Sequence, residues 1–223
     1  NNSFLATKIS FINQLSNICQ NIPEANIDDI SKTIGLDQRI GKLFLNAGPG
    51  YGGSCLPKDM KALINFASGV GVKPVLLNAV EEINENQLEQ IVKLVKRKLK
   101  NLAFKNITIM GTAFKPNTDD VRDSLSIELI RKFLKMKAKI IVYDPRAINN
   151  TKKIFGTKII YKNSVSEALE KSECVIFMTY WKEFENIDNR TIKHMKRKLI
   201  IDCRRIFAEK NMGKEYFALG IGQ

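Results

Sequence analysis

One cysteine of the 223-residue chain stands where a thiol could be activated as a nucleophile. Cys55 lies in the stretch NAGPGYGGSCLP, residues 46–57, whose four glycines and two prolines exclude regular secondary structure. Pro57 suits the first turn of a helix, and the free N–H groups and positive dipole end of such a helix stabilise a thiolate. Lys58 would add positive charge. The alternative is that Cys55 is only a small residue in a tight turn, and these residues alone leave both interpretations open.

Few side chains could act together with this thiol. The single histidine, His194, lies in a polar segment and is interpreted as a solvated surface residue. Asp59 falls one helical turn after Cys55 and could position or deprotonate a water molecule, although an aspartate that complements the helix dipole is the alternative. One histidine and four dispersed cysteines show no ligand spacing, so no metal site is expected. The remaining thiols are predicted to be reduced packing residues: Cys19, Cys174 and Cys203.

Helical spacing dominates the first hundred residues. Apolar residues recur every three or four positions over 4–18, 27–34, 60–67 and about 75–99. The pattern predicts four helices, and the last is long and amphipathic, as expected of a connector between two parts of the chain.

From Phe104 onward, short β-branched runs alternate with helical patterns. Buried parallel strands are predicted at 107–110, 139–143, 174–178 and 199–202, and helices at 124–136 and 164–170. The fold class is therefore α/β, with a helical first part, a boundary near residues 99–105 and a doubly wound parallel sheet. Such sheets bind ligands beyond the carboxyl ends of their strands.

Two polar segments follow predicted strands at that edge. The segment GTAFKPNTDDVRDS, residues 111–124, carries Lys115 and Arg122, which could face phosphates. It lacks the GxGxxG spacing, so a merely structural turn is the alternative. The segment DCRR, residues 202–205, offers an arginine pair that could clamp a diphosphate, although exposed surface arginines are equally common.

Composition and charge limit the class of protein. The chain has 44% hydrophobic and 26% charged residues and no apolar run long enough for a membrane span. Its first residues lack the basic stretch, apolar run and small-residue cleavage site of a signal peptide, so a cytoplasmic globular protein is expected. The formal net charge is +13, and residues 100–223 carry 25 Lys and Arg against 14 Asp and Glu. Polyanion binding is the alternative to solvated helix faces, but no nucleic-acid motif accompanies these charges, so neither nucleic acid nor membrane is an expected partner.

Seven segments combine into a specific pattern that covers essentially the whole chain: NSFLATKISFIN (2–13), GLDQRIG (35–41), GPGYGGSCLPKD (48–59), GTAFKPNTDDVRDS (111–124), VYDP (142–145), TYWKEF (179–184) and DCRR (202–205). In order and spacing they resemble the UDP-glucose 6-dehydrogenase family of NAD-dependent nucleotide-sugar dehydrogenases. The resemblance implies a central helical dimerisation region at residues 1–100 and a Rossmann-like UDP-sugar-binding domain at 101–223. It also implies that the family's N-terminal NAD-binding domain and its catalytic lysine are absent from this chain.

The resemblance implies two successive NAD-dependent oxidations of UDP-glucose to UDP-glucuronate, a reaction of polysaccharide biosynthesis, through a cysteine thiohemiacetal and thioester. By position, Cys55 resembles the thiol, Asp59 the aspartate that assists thioester hydrolysis through water, and Asn2 the asparagine that stabilises the developing oxyanion. Lys58 and Arg122 fall on the cofactor-facing positions for NAD. The implied substrate-binding residues are Arg39, Asn46, Gly48, Gly50, Tyr51, Gly52, Phe114, Lys115 and Arg204.

The implied partners are UDP-glucose and a second copy of the chain. Arg39 resembles an arginine that reaches the substrate of the neighbouring subunit, which implies a homodimer through the central helices, and Arg204 resembles a substrate contact across the domain cleft. On its own, the chain is expected to bind UDP-sugar without turnover. Two alternatives remain: a sibling enzyme for GDP-mannose or a UDP-N-acetylhexosamine, and a non-catalytic UDP-sugar-binding dimerisation module.

Overall fold

The computed structural model describes residues 1–222, which form two compact units. The first comprises Asn1–Ile91 together with the residues from Leu219 onward, and the second comprises Val92–Ala218. The predicted boundary near residues 99–105 follows the last helix of the helical part and remains a prediction of domain organisation.

The first unit is built from helices whose bounds follow the apolar spacing. They are α1 (Asn2–Cys19), α2 (Ile27–Gly35), α3 (Leu56–Gly69) and α4 (Val75–Leu99). All four predicted helices are confirmed, and α4 continues from the first unit into the second. No helix within residues 1–222 is both long and apolar enough to cross a lipid bilayer.

The segment between α2 and α3 has no regular secondary structure but contributes to the core of the first unit. Leu45 and Ala47 are buried with Ile12 of α1 in one apolar cluster. Tyr51 is buried with Met60 of α3 in another. Because fully burying a large apolar side chain is worth about 1.5–3 kcal/mol, these contacts fix the segment against the helices that surround it.

The C-terminal residues return to the first unit. The N–H of Ile27 donates to the carbonyl of Gly220 over 2.9 Å, and the Gln20 side chain bonds the N–H of Gly220 and the carbonyl of Ile221. Gly220 has φ +78°, and an added Cβ would lie 2.4 Å from Ile27 Cγ2. Only glycine fits this close approach without a shift of the neighbouring chain.

The second unit is a six-stranded parallel sheet with the strand order β3-β2-β1-β4-β5-β6. Chain order reverses between β1 and β4, and ligands of such sheets bind at this switch point. The strands are β1 (Asn106–Met110), β2 (Lys139–Tyr143), β3 (Ile160–Tyr161), β4 (Cys174–Phe177), β5 (Leu199–Asp202) and β6 (Tyr216–Ala218). The helices are α5 (Leu125–Lys135), α6 (Ile148–Phe155) and α7 (Val165–Leu169), with 3₁₀ turns at Lys182–Asn186 and Thr191–His194.

The sheet confirms the predicted α/β class and adds elements that the sequence pattern did not reveal. The four predicted strands are β1, β2, β4 and β5, and the two predicted helices are α5 and α7. The outer strands β3 and β6 have two and three residues, too few for a recognisable run. The polar sequence of α6, INNTKKIF, gives only a faint helical pattern.

Candidate functional site

Cys55 immediately precedes α3, at the junction of the glycine-rich segment and the helix. Its thiol is exposed, and the Ser54 hydroxyl oxygen lies 3.7 Å from Cys55 Sγ. The N–H of Asp59 donates to the Cys55 carbonyl over 3.0 Å, which fixes the first helical turn. The thiol is therefore accessible to a substrate and lies at the positive end of a helix dipole.

The other three thiols, Cys19, Cys174 and Cys203, are buried, and burial raises the pKa of each. They remain protonated and pack in the core, in agreement with the sequence interpretation. Within residues 1–222, Cys55 is thus the one exposed thiol. No group of three or more His, Cys, Asp or Glu side chains in this part of the chain could hold a metal ion.

Asp59 contacts two other residues that were selected from the sequence, Asn2 and Lys58. Asn2 Nδ2 donates to Asp59 Oδ2 over 2.6 Å, and Lys58 Nζ lies 3.3 Å from Asp59 Oδ1. These two partners, Asn2 first, hold the pKa of the Asp59 carboxyl below its ordinary value. Asp59 is therefore a carboxylate at neutral pH, which is the form that can accept a proton from water. An amide nitrogen carries two N–H groups, and this hydrogen bond to Asp59 uses one of those of Asn2.

The glycine-rich loop, residues 46–54, alternates between buried and accessible positions. Asn46 is exposed and Gly50 and Gly52 are partly exposed, whereas Gly48 and Tyr51 are buried. Gly50 has φ +113°, a backbone conformation that favours glycine. Three of the five predicted loop contacts are thus accessible to a ligand.

The Arg39 side chain forms its hydrogen bonds with Asp37 and not with this loop. Its Nε and Nη2 donate to Asp37 over 3.0 and 2.6 Å, and its side chain is 87% exposed. In the part of the chain that the structure describes, Arg39 forms no hydrogen bond with Cys55, Asp59 or the loop. A role on a neighbouring subunit's substrate stays a prediction.

In the second unit, Phe114 and Lys115 lie in the loop that follows β1. Lys115 is exposed, and its Nζ lies 5.4 Å from the centre of the Phe114 ring. The N–H of Phe114 donates to the carbonyl of Asp120 over 3.1 Å, which closes the loop. Arg122 donates from Nε and Nη2 to the Asp120 carboxylate, and this contact lowers the pKa of Asp120.

A residue that sequence reasoning did not select, Asp144, holds this loop. Its Oδ2 accepts from the N–H groups of Thr112 and Ala113 over 2.7 and 3.0 Å. Its Oδ1 accepts from the N–H groups of Arg146 and Ala147 over 2.8 and 2.7 Å. The signal that could have identified Asp144 is its place in VYDP, directly after a predicted strand.

Asp202 has the same function at the end of β5, where it holds the turn that carries Arg204. The N–H of Arg204 and that of Phe207 donate to Asp202 over 3.0 Å each, and Arg204 Nε donates to the Met178 carbonyl over 2.8 Å. Burial lowers the pKa of Arg204 to about 10, so its guanidinium remains cationic at neutral pH. The structure places a fixed positive charge at the carboxyl ends of β4 and β5.

The two residues predicted to contact NAD are both exposed cations. Lys58 is 73% exposed beside Asp59, and Arg122 is 71% exposed beside Asp120. Each could pair with a phosphate of a dinucleotide from its own unit, and their chemistry is compatible with NAD in that respect.

The sequence is similar to known enzymes over nearly its full length. It is 40% identical over 228 residues to a UDP-glucose 6-dehydrogenase of Rickettsia felis and 39% identical over 219 residues to one of Haloferax volcanii. Each alignment covers 98% of this chain and 50% of the relative. The chain therefore spans about half the length of the curated relatives that it matches.

Solved structures show the same fold. A UDP-glucose dehydrogenase from Pyrobaculum islandicum matches 99% of this chain and 49% of its own, with a TM-score of 0.91 and 33% identity. A UDP-D-ManNAc dehydrogenase from Pyrococcus horikoshii matches 98% of this chain and 50% of its own, with a TM-score of 0.83, but at 23% identity it supports the fold alone. Residues 1–86 match the central domain of the UDP-glucose/GDP-mannose dehydrogenase family, and residues 108–209 match the UDP binding domain of that family. The chain belongs to the UDP-glucose/GDP-mannose dehydrogenase family.

Proposed function

We propose that this chain provides the thiol and the UDP-binding region of a UDP-glucose 6-dehydrogenase, which oxidises the C6 alcohol of UDP-glucose to the carboxylate of UDP-glucuronate. The observation that supports this most directly is the exposed Cys55 thiol on the helix turn that also carries Asp59, with Asn2 bonded to Asp59 over 2.6 Å. Relatives that carry this enzyme name cover 98% of the chain at 38–40% identity.

Cys55 and Asp59 divide the covalent chemistry between them. The first oxidation removes a proton and a hydride from the C6 alcohol and gives an aldehyde. The Cys55 thiolate adds to this aldehyde and forms a C–S bond and an oxyanion, and loss of a second hydride from C6 of this thiohemiacetal anion leaves a thioester. Asp59 then takes a proton from water, whose oxygen attacks the thioester carbonyl. The C–S bond breaks, and Cys55 leaves as a thiolate. The second N–H of Asn2 would stabilise the oxyanion that develops on the substrate.

When bound, NAD would accept the two hydrides that the oxidation releases. Lys58 and Arg122 would contact its phosphates as exposed cations. The chain itself contributes the thiol, the base and the oxyanion donor.

Each unit carries candidate substrate contacts of its own. In the second unit, Phe114 offers a ring surface for the uracil, and Lys115 and Arg204 offer positive charge for the diphosphate. In the first unit, the loop from Asn46 to Gly52, which includes Gly48, Gly50 and Tyr51, would hold the sugar and phosphates.

A homodimer through the central helices is part of the proposal. Phe4, Phe11 and Ile18 of α1 recur at intervals of seven residues and are 69%, 51% and 49% exposed. An apolar stripe at this spacing is typical of a helix that packs against another helix. Phe11→Glu should convert a dimer into a monomer in analytical ultracentrifugation, and an unchanged sedimentation coefficient would argue against this interface. With a dimer formed, Arg39 would reach the substrate of the neighbouring subunit.

Calorimetric titration of the chain with nucleotide sugars tests the substrate. UDP-glucose should bind more tightly than GDP-mannose or UDP-N-acetylglucosamine, and the chain alone should form no NADH from it. Cys55→Ala should keep this affinity and should abolish turnover in the full gene product. Tighter binding of GDP-mannose or of the N-acetylated sugar would favour a sibling enzyme. Turnover that survives Cys55→Ala would favour a binding module without thiol catalysis.

A further inference from the structure

The glycine-rich loop is held by buried amide side chains that lie far from it in sequence. Asn84 of α4 contacts both backbone groups of Tyr51: the Tyr51 N–H donates to Asn84 Oδ1 over 2.8 Å, and Asn84 Nδ2 donates to the Tyr51 carbonyl over 3.1 Å. Both residues are buried. The Asn84 side chain thus forms the two backbone hydrogen bonds that a neighbouring strand would form with Tyr51 in a sheet.

Gly48 is held in the same way by two side chains. Its N–H donates to Asn13 Oδ1 of α1 over 2.8 Å, and Gln87 Nε2 of α4 donates to its carbonyl over 2.8 Å. Asn13 and Gln87 have no exposed surface. Asn17 Nδ2 in turn donates to Gln87 Oε1 over 3.0 Å and fixes the orientation of that amide. The helices α1 and α4 therefore hold the loop from two sides.

The N–H groups of the loop are consequently divided into two sets. Those of Gly48 and Tyr51 are occupied by Asn13 and Asn84. Within residues 1–222, those of Gly50 and Gly52 have no hydrogen-bond partner, and both residues are partly exposed. An anchored backbone with unoccupied N–H groups is suited to binding a negatively charged oxygen.

We propose that Asn84, Gln87 and Asn13, hereafter the amide clamp, are positioning residues that fix the loop so that the N–H groups of Gly50 and Gly52 bind the substrate. This inference rests on the proposed function. The role of the clamp is indirect, because its members contact the loop backbone. The N–H groups of Gly48 and Tyr51 bond the clamp and are therefore not donors to the substrate. Preorganised donors stabilise a substrate oxygen without a cost of reorganisation at the moment of reaction.

Amide hydrogen exchange followed by NMR tests the anchoring itself. In the wild-type chain, the N–H groups of Gly48 and Tyr51 should exchange slowly, and those of Gly50 and Gly52 should exchange fast. Asn84→Leu should accelerate exchange at Tyr51 at least about 10-fold, the factor that corresponds to about 1.4 kcal/mol. Asn84→Asp keeps an acceptor and should restore part of the protection. Asn86 is exposed on the same helix, so Asn86→Leu is the matched control and should change nothing.

Substrate measurements test the positioning role. Asn84→Leu should weaken UDP-glucose binding by the chain and lower kcat of the full gene product by about 100-fold, with a smaller change in KM, because a small misplacement of a reacting group has that effect. A merely structural role would lower the melting temperature and leave the kcat of the folded fraction unchanged. Gln87→Met, of nearly equal volume, should give the same pattern if Asn84→Leu does not fold.

The outcomes separate the two proposals. Wild-type affinity and kcat in folded Asn84→Leu and Gln87→Met would overturn the clamp and leave the proposed function standing. Slow exchange of the Gly48 and Tyr51 N–H groups in a chain that does not bind UDP-glucose would overturn the proposed function. It would also overturn the assignment of Gly50 and Gly52 to the substrate.

Discussion

The two units hold their candidate binding loops by different chemistry. In the first unit, neutral amides on helices hold the glycine-rich loop, as Asn84 does at Tyr51. In the second unit, buried carboxylates at strand ends hold the loops, as Asp144 does at Thr112 and Ala113. A strand-to-helix turn presents mainly unpaired N–H groups, which a carboxylate accepts. An irregular loop between helices presents N–H and carbonyl groups alike, and an amide side chain such as that of Asn84 can bond both.

This difference has consequences for how each site responds to perturbation. The two oxygens of one carboxylate accept several N–H groups. The loss of Asp144 would therefore release both the turn at Thr112 and Ala113 and the turn at Arg146 and Ala147. An amide clamp is spread over Asn13, Asn84 and Gln87, so the loss of one member would release one anchor. The second unit should therefore be the more sensitive to a single substitution.

The largest expected effect is on thiol reactivity. In the folded chain, Cys55 should react with a thiol reagent such as DTNB roughly 10³-fold faster than the other three cysteines, which react only after local opening. One thiol per chain should be modified rapidly, and four after unfolding in urea. Cys55→Ser should remove the rapid phase. A rapid phase of two or more thiols, or one that persists in the variant, would contradict the burial of Cys174 and Cys203.

The next largest effect is on the stability of the second unit. Asp144→Ala removes the acceptor of four backbone N–H groups and should lower the free energy of unfolding by about 4 kcal/mol. The single tryptophan, Trp181, is buried in this unit, so its fluorescence in urea follows the transition. The exposed Asp119 is the control, and Asp119→Ala should change stability by less than about 0.5 kcal/mol. Equal effects of both substitutions would contradict the assignment of Asp144 as the residue that holds the loop after β1.

The pH response should differ in sign between two carboxyl groups. Hydrogen bonds from Asn2 and Lys58 lower the pKa of Asp59, whereas burial raises the pKa of Asp202. A lowered pKa adds stability that is present above about pH 3.9 and is lost as pH falls through the folded-state pKa. A raised pKa adds stability that is present below about pH 3.9 and is lost as pH rises through the folded-state pKa.

Carboxyl carbon titration by NMR measures both directions. Asp59 should titrate below the usual aspartate range and Asp202 above it. Asn2→Ala should shift the Asp59 midpoint upward, because a donor to the charged form is lost. The Asp202 midpoint should not move in this variant. Midpoints in the reverse order would contradict the assignment of Asn2 and Lys58 as partners of the ionised Asp59.

The smallest expected effect concerns an exposed ion pair. Arg39→Ala removes the contact with Asp37 and should leave the free energy of unfolding essentially unchanged, since both charges are hydrated. Arg197→Ala removes a contact with Glu215 and a hydrogen bond to the Lys98 carbonyl, and should cost about 1 kcal/mol. Urea unfolding of the two variants measures the difference. A larger loss in Arg39→Ala would show that this arginine has contacts beyond its own loop.

The sequence was sufficient to predict the elements with a long repeating pattern. The apolar spacing of α1 and α4 and the β-branched runs of β1, β2, β4 and β5 correspond to buried faces, so they predicted these elements well. Cys55 and Asp59 could be selected because helix-start chemistry is local. The strands β3 and β6 are short and depend on pairing with β2 and β5, which no local pattern encodes.

The amide clamp could not be predicted, because Asn and Gln on a helix are ordinarily read as solvent-facing residues. One signal was present: Val80, Asn84, Gln87 and Ile91 follow the spacing of a buried helix face, and two of these four positions are polar. A polar residue at a core position requires a partner, but the partner, here Gly48 or Tyr51, is set by tertiary packing.

Intact-mass spectrometry of an Asp59→Asn variant of the full gene product, mixed with UDP-glucose and NAD, tests the central claim most directly. If Asp59 activates the hydrolytic water, its loss should leave the sugar bound as a thioester, and peptide mapping should place the added mass on Cys55. The added mass should be absent from a double variant that also carries Cys55→Ala. An unmodified protein, or an adduct on another residue, would contradict the assignment of Cys55 and Asp59 as the thiol and the base of a UDP-glucose 6-dehydrogenase.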